Sequence, residues 1–445
     1  MSQAPHIRTK PQHISVVIVG AGHAGLAVSR CLSEQDIEHV VLERGDVANT
    51  WRTERWQSLR LLTPNWQNDL PGYSYRGDDP DGFMACEDVV SFISDYASKI
   101  KAPVRTHTTV LSITRSGTGY LVQTDRGEWE CRGLVLASGA CNQAAVPSHV
   151  QQLPNEIQSL TPLDYQAPQQ LPKGGVLIVG ASATGLQLAE EIQKSGRKVT
   201  ISVGEHVRLP RRYRQADIHW WMDKAGILDQ RIEDQDDPQR ARRLPSPQLI
   251  GSAQARSLDL NKLQSAGIDI VGRLAGIREG HALFSGSLRN CCAMADQKQN
   301  RLLDLLDQWA SDNALDHLLP VEPRPKPTRV PERPKLQIDL TDGSYSTVIW
   351  ASGYRPDYSW LHLPVINKKG MLIHERGVVG DEQSNTPGMF AMGLPFMRRR
   401  KSGFISGAKN DAKAIAALMR THLDSCKSMP KQYELNTDNA FDVAC

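Results

Sequence analysis

Residues 14–34 read ISVVIVGAGHAGLAVSRCLSE, and residues 175–196 read GVLIVGASATGLQLAEEIQKSG. In each, a run of apolar, largely β-branched residues ends in a glycine turn and opens at once into a helical pattern. In the first, Leu26, Val28 and Leu32 mark the apolar side of the helix. Each is followed by another short apolar run, EHVVLER (38–44) and RKVTISVG (197–204). Strand, tight turn, helix and strand in that order predict a βαβ unit with parallel strands. Two such units in one chain predict an α/β fold with two dinucleotide-binding, Rossmann-type domains.

The first unit carries G-x-G-x-x-G as Gly20, Gly22 and Gly25, with Glu43 at the end of the next strand. A lone glycine pattern of this kind is weak, but between a strand and a helix, with an acid at this offset, it reads as a nucleotide site. Gly20 allows the tight turn, Gly22 lets the backbone approach a pyrophosphate, and Gly25 lets helix and strand pack closely. The helix N-terminus favours the phosphate charge, and Glu43 is placed to accept hydrogen bonds from ribose hydroxyls.

The second unit reads Gly180, Ser182, Thr184, Gly185, with serine at the middle glycine position. The offset that gives Glu43 in the first unit falls here on Val203. The following RLPRRYR supplies Arg208, Arg211, Arg212 and Arg214 instead. A missing carboxylate beside guanidinium groups suits a 2′-phosphate, so NADPH is expected over NADH, with Arg208 and Arg211 as its contacts. Glu205, close by, is the residue that keeps NADH in contention.

Composition narrows the class. The 445 residues fit about three units of roughly 150. The charge sum is +3, so no global field argues for nucleic acid or an anionic membrane as partner. The eight cysteines, at 31, 86, 131, 141, 291, 292, 426 and 445, include no C-x-x-C pair, which fits free thiols in a cytoplasmic protein and no metal site. The opening MSQAPHIRTKPQ lacks an apolar signal core, and no apolar run has membrane length. Nor is there an H-E-x-x-H, a G-x-S-x-G elbow or a P-loop, so the chemistry is expected to reside in a bound cofactor.

Between the units, residues 106–140 alternate around Gly117, Gly119 and Gly127, which predicts a small antiparallel insertion ending in LVLASGA. TVIWASGYRPD (347–357) repeats that ending, so Gly139 and Gly353 are expected where the backbone passes close to a bound group. Residues 290–310 read as helix, six prolines from Pro320 to Pro334 as a stiff crossover, and a last helix begins near Ser406.

The doubled glycine pattern, the A-S-G strand endings and the C-terminal GLPF…SGFISGAKNDA resemble the class B flavin-dependent monooxygenases, in the flavin-containing and YUCCA-like branch. The resemblance covers about residues 14–420. It implies FAD on the first unit and NADPH on the second. The implied domains are 1–170 plus 336–445 for FAD and 171–335 for NAD(P)H, with 424–445 a mobile tail. The family's FAD contacts carry over to Gly20, Gly22, Gly25, Glu43, Arg44, Trp51 and the backbone of Val110, with Gly393 and Asp411 closing over the flavin. The implied reaction is insertion of one oxygen atom from O2, through a flavin C4a-hydroperoxide, into a small soft nucleophile or a carbonyl compound. In WQSLRLLTPNWQNDLPGY (56–73), Asn65 is the candidate catalytic residue. A homodimer is compatible with the resemblance.

One departure stands out. The family signature F-x-G-x-x-x-H-x-x-x-Y falls on residues 155–165, where Asn155, Ile157 and Thr161 replace its first three fixed residues and only Tyr165 remains. That keeps two alternatives open: a flavoprotein NAD(P)H reductase or oxidase that releases hydrogen peroxide, and a FAD-binding redox sensor or partner protein.

Overall fold

The computed structural model describes residues 10–428. The first unit opens with β1 (Gln12–Val19), α1 (His23–Ser33) and β2 (His39–Leu42), and continues through β3 (Val104–Arg105), β4 (Val110–Ser116), β5 (Gly119–Thr124) and β6 (Gly127–Leu136). The second contains β7 (Gly175–Val179), α2 (Ala183–Lys194), β8 (Val199–Ser202), β9 (Asp269–Val271), α3 (Leu288–Asp312) and β10 (Tyr345–Trp350). The chain then returns to the first unit as β11 (Met389–Ala391) and α4 (Gly407–Ser428).

In the first sheet β11, β6, β1, β2 and β3 run parallel in that order. Its ten-residue β6 serves two neighbours, pairing Trp129 with Val122 of antiparallel β5 and Leu134 with Val17 of β1. The expected antiparallel insertion is therefore an extension of the main sheet rather than a separate one. The second sheet is all parallel, in the order 158–160, β10, β7, β8, β9.

Parallel sheets are covered on both faces, so their strands are apolar throughout. β7 illustrates this. Val176 and Ile178 pack into a cluster with Leu186 and Ile192 of α2, while Leu177 and Val179 join Val348 and Trp350 on the opposite face.

This pairing moves the domain boundaries from those read in the sequence. Residues 158–160 and β10 both lie in the second sheet, so its unit begins before 171 and continues past 335. Parallel pairing depends on partners nearly two hundred residues away, and no local signal marks it. Two short strands, 143–144 and 354–355, pair antiparallel where the chain crosses between units. The proline-rich crossover at 320–334 carries no regular structure, as expected. The C-terminal helix runs to Ser428, so residues 424–428 are helical; the rest of the expected tail, 429–445, lies outside the described residues.

Candidate active site

The first glycine turn is built by contacts at its two outer glycines. Gly20 has φ +107°, its N–H donates to the Leu42 carbonyl at 2.8 Å, and a Cβ there would lie 2.5 Å from the Ala137 oxygen as β6 ends above it. A Cβ on Gly25 would lie 2.0 Å from the Gly20 oxygen. Gly22 differs: a Cβ there would meet nothing within 4 Å. The protein's own packing thus demands glycine at 20 and 25 but not at 22, where the open space lies on the ligand side. Gly22 is also the N-cap of α1 and offers no side-chain cap, so the first N–H groups of the helix are left for a ligand.

Glu43, 8% exposed, binds this turn from below, accepting from Ala21 N at 2.8 Å and Gly45 N at 3.2 Å. An ionised carboxylate has about four acceptor positions, so capacity remains for ribose hydroxyls.

A cavity of about 670 Å³ runs from this turn, within the roughly 300–1,000 Å³ usual for cofactor sites. Its lining contains Gly20, Gly22, Glu43, Arg44, Trp51, Val110, Gly139 and Gly393. Eight of the residues picked from the sequence for the flavin side therefore meet around one space, with Gly25 directly beneath. Gly393 closes against α1, a Cβ on it lying 2.9 Å from that of Ala24. The open N-terminus, the unfilled space at Gly22 and the cavity size together fit a dinucleotide.

Several lining residues escaped sequence reading. His23 follows Gly22 at the first position of α1, and its buried Nε2 has no partner among the described residues. Burial pushes its imidazole down to about 4, so it is neutral at pH 7. Its place directly after the second glycine was the available signal. Arg55, with its guanidinium 5.8 Å from the Trp51 ring centroid, Asn142, Asp357 and Trp360 also line the cavity. Asp357 closes the repeated TVIWASGYRPD stretch after β10, and Trp360 follows it with no motif of its own. Cys141 is the one cysteine in the lining; burial raises its thiol pKa, with the Arg55 charge pulling the other way.

The second turn repeats the first closely. Gly180 has φ +116°, donates to Ser202 O at 3.0 Å, and would place a Cβ 2.2 Å from Ala351 O. A Cβ on Gly185 would sit 1.9 Å from Gly180 O. Ser182 is an extended N-cap whose hydroxyl caps nothing, leaving it and the α2 N-terminus available. Serine stands at the one position of the three where the chain itself tolerates a side chain. Thr184 hydrogen-bonds Tyr354 across the crossover. Gly353 precedes it with φ +104°, its carbonyl accepting from Ala145 N, and is not among the cavity lining.

Three expectations are corrected. Arg208 is 3% exposed and held by Asp259 at 2.6 Å, Asp296 at 2.7 Å and Lys326 O at 2.9 Å. Arg211 is wholly buried between Asp217 at 2.5 Å and Leu62 O at 2.7 Å, over the Phe83 ring. Arg214 is likewise buried against Asp307 and Asp316. These guanidiniums are held by carboxylates and carbonyls inside the protein, with the Arg211 Nε left without a partner among the described residues, and neither Arg208 nor Arg211 is placed as the expected free phosphate contact.

Asn65 is also structural. It is 4% exposed, its Nδ2 donates to Asp79 O and its Oδ1 accepts from Met84 N, both at 2.9 Å, which pins the 79–84 loop. It lines a separate surface recess with Tyr73 and Phe92, not the main cavity. Asp411 lies behind the cavity wall rather than in it. At 1% exposure, with burial raising its carboxyl pKa, it faces Arg398 at 4.0 Å and Arg399 at 3.5 Å. It thereby steadies the loop between Pro395 and Gly403, which do line the cavity. Thr161, at the signature's histidine position, caps a turn through Asp164 at 2.7 Å, and Tyr165 donates to Glu191 at 3.2 Å.

Comparison with known proteins agrees with this geometry. Residues 17–223 match the family model described as pyridine nucleotide-disulphide oxidoreductase. An uncharacterized CzcO-like oxidoreductase of Geobacillus kaustophilus is 28% identical over 408 residues, covering 91% of this chain and 98% of the relative. The indole-3-pyruvate monooxygenase YUCCA6 of Arabidopsis thaliana is 28% identical over 217 residues, 46% of this chain and 52% of that protein. Among solved structures, the flavin-containing monooxygenase of Stenotrophomonas maltophilia shares the fold, with TM-score 0.62 at 16% identity over 93% of this chain and 99% of that one. So does the bacillithiol disulfide reductase of Staphylococcus aureus, with TM-score 0.56 at 14% identity over 92% and 99%. The chain resembles flavin-dependent monooxygenases and reductases in fold, and it is an NAD(P)H-dependent flavoprotein oxidoreductase with FAD and NADPH as its cofactors.

Proposed function

We propose that this flavoprotein transfers one atom of O2 to a small soft nucleophile or carbonyl compound, with the first unit holding FAD and the second NADPH. The balanced reaction is substrate + O2 + NADPH + H⁺ → oxygenated substrate + H2O + NADP⁺. FAD, which Gly22, Glu43 and Trp51 would hold, would supply the redox chemistry between NADPH and O2. The chain's part is placement. In this reading the open N-termini of α1 and α2 hold the two pyrophosphates, and Glu43 orients the FAD ribose. Neutral His23, its buried Nε2 unpaired, offers a single uncharged hydrogen-bonding atom at the cofactor surface. Trp51 and Trp360 give the cavity apolar walls that exclude water.

The observation that carries the reading is the pair of matching turns, each glycine-restricted where the protein packs and open where a ligand would lie. Dioxygen is favoured as acceptor over a disulfide because the sequence has no C-x-x-C and the cavity lining holds one thiol, Cys141. A second reading, an NADPH oxidase that releases hydrogen peroxide, is favoured by Thr161 in place of the signature histidine.

The test is turnover of the FAD-loaded protein with NADPH under ¹⁸O2, against a panel of sulfides, amines, cyclic ketones and 2-oxo acids. The last class is included because the plant relatives act on indole-3-pyruvate. One ¹⁸O atom in a product, with hydrogen peroxide well below NADPH consumed, is the expected result. Stoichiometric peroxide with every compound would establish the oxidase reading instead.

A further inference from the structure

With Arg208, Arg211 and Arg214 buried in internal ion pairs, the second unit needs another cation if it is to recognise a 2′-phosphate. We infer that Arg273, just beyond β9, is that anchor, and that Lys298 of α3 neutralises Glu205, which follows the Gly204 on which Arg273 packs. The inference rests on the reading of the second unit as the NADPH site.

The two units correspond strand for strand, which fixes where the phosphate would lie. In the first, β2 and β3 pair Leu42 with Arg105, and the next residue, Glu43, donates its N–H to Arg105 O at 3.0 Å. In the second, β8 and β9 pair Ser202 with Val271, and Val203 donates to Val271 O at 2.9 Å. Val203 therefore occupies the place of Glu43, the ribose-binding position. Arg273, two residues past Val271, occupies that of His107, two past Arg105. Thr108, the next residue along, lines the first unit's cofactor cavity. The correspondence sets Arg273 on the rim of the adenosine ribose site, where a buried apolar residue has replaced the acid.

Its local structure suits the role. Ser202, 1% exposed, donates through Oγ to Gly272 O at 3.0 Å and accepts from Leu274 N at 2.9 Å. Both backbone neighbours of Arg273 are thus tied to the end of β8. The Arg273 carbonyl accepts from Ser285 N at 2.9 Å. The side-chain stem packs on Gly204, with Cγ 3.7 Å and Cδ 3.9 Å from the position a Gly204 Cβ would take. The residue is exposed, and its guanidinium has no partner among the described residues. Glu205, 59% exposed at its side chain, is paired with Lys298 Nζ at 3.0 Å. Lys298 thus offsets Glu205, and Arg208 offsets Asp296 nearby, which leaves the charge of Arg273 unspent. A planar guanidinium on a fixed backbone is suited to bidentate phosphate recognition.

The test measures binding of 2′,5′-ADP and 5′-AMP to the FAD-loaded protein by calorimetry, so that no flavin chemistry is required. The wild type should bind 2′,5′-ADP the more tightly. Arg273→Ala should weaken 2′,5′-ADP about 10- to 100-fold while leaving 5′-AMP within about 2-fold. Arg273→Lys should recover part of the difference, and Lys298→Ala, by freeing Glu205, should lower the same ratio. Thermal melts confirm that the exposed-site variants are folded. An unchanged ratio in Arg273→Ala, equal weakening of both ligands, or a wild type indifferent to the 2′-phosphate would each overturn the inference. Failure to transfer oxygen would leave these ratios untouched, so the two readings fail separately.

Discussion

A Cβ on Gly25 would lie 2.0 Å from the carbonyl oxygen of Gly20, far inside van der Waals contact, whereas a Cβ on Gly22, between them, would touch nothing. The same turn thus contains glycines kept for two different reasons. Gly25→Ala should destabilise the fold by about 1–3 kcal/mol or more through overpacking, seen as a lowered unfolding midpoint even without flavin. Gly22→Asp should leave the midpoint of the flavin-free protein nearly unchanged and abolish the yellow colour. Stoichiometric FAD in Gly22→Asp, read from the ratio of flavin to protein absorbance, would sink the placement of the pyrophosphate.

Arg208 links Asp259 and Asp296 in a site where all three side chains are largely buried. Removing one member of a buried ion pair typically costs about 3–5 kcal/mol, because its partner is left uncompensated. Arg208→Ala is therefore expected to lower stability by that order without changing the preference for NADPH over NADH. Denaturant unfolding and the ratio of kcat/KM for the two nucleotides separate the outcomes, and a selective loss of NADPH would restore the arginine loop as a phosphate site.

Asn65 makes two hydrogen bonds to the backbone of the 79–84 loop and lies outside the cofactor cavity. Asn65→Ala should cost about 1–3 kcal/mol, the penalty for leaving the Met84 N–H and Asp79 carbonyl unpaired. Turnover per bound flavin should stay within about 3-fold of wild type at temperatures where the variant is folded. A large fall in coupling of NADPH to product, at unchanged stability, would instead give Asn65 a catalytic role.

Burial holds His219 at about 3, with the Arg211 charge adding to the effect, and His374 at about 4, likewise reinforced by Arg242. Both are below the ordinary 6.5. The unfolded chain takes up these protons as pH falls through 6.5, while the native state does not until far lower. Their contribution is therefore fully present above about pH 6.5 and is lost as the medium is acidified towards the folded values. Each pH unit across that window costs about 1.4 kcal/mol per histidine. The melting temperature should fall between pH 6.5 and 4.5, and His219→Gln should flatten the slope. A profile level through that range would contradict the burial of these imidazoles.

The sequence alone determined the two strand–turn–helix units and most of the residues that gather around the first cavity. Their signals are local: Gly20, Gly22 and Gly25 act on one turn and one helix end, and Glu43 reaches that turn from the adjacent strand. Short-range sterics and hydrogen bonding make such an offset readable without knowing the rest of the chain. The tertiary structure decided what depends on distant partners. The RLPRRYR loop has the composition of an anion site, yet Arg208 meets carboxylates 51 and 88 residues further on, and once satisfied there it is closed to a ligand. Arg273 carries no motif, and only the pairing of β8 with β9 brings it beside the ribose position. The domain boundaries moved for the same reason, since β10 pairs with β7 about 170 residues earlier in the chain. Turn chemistry is written in neighbouring residues, whereas the fate of a charge is set by whichever groups the fold carries to it.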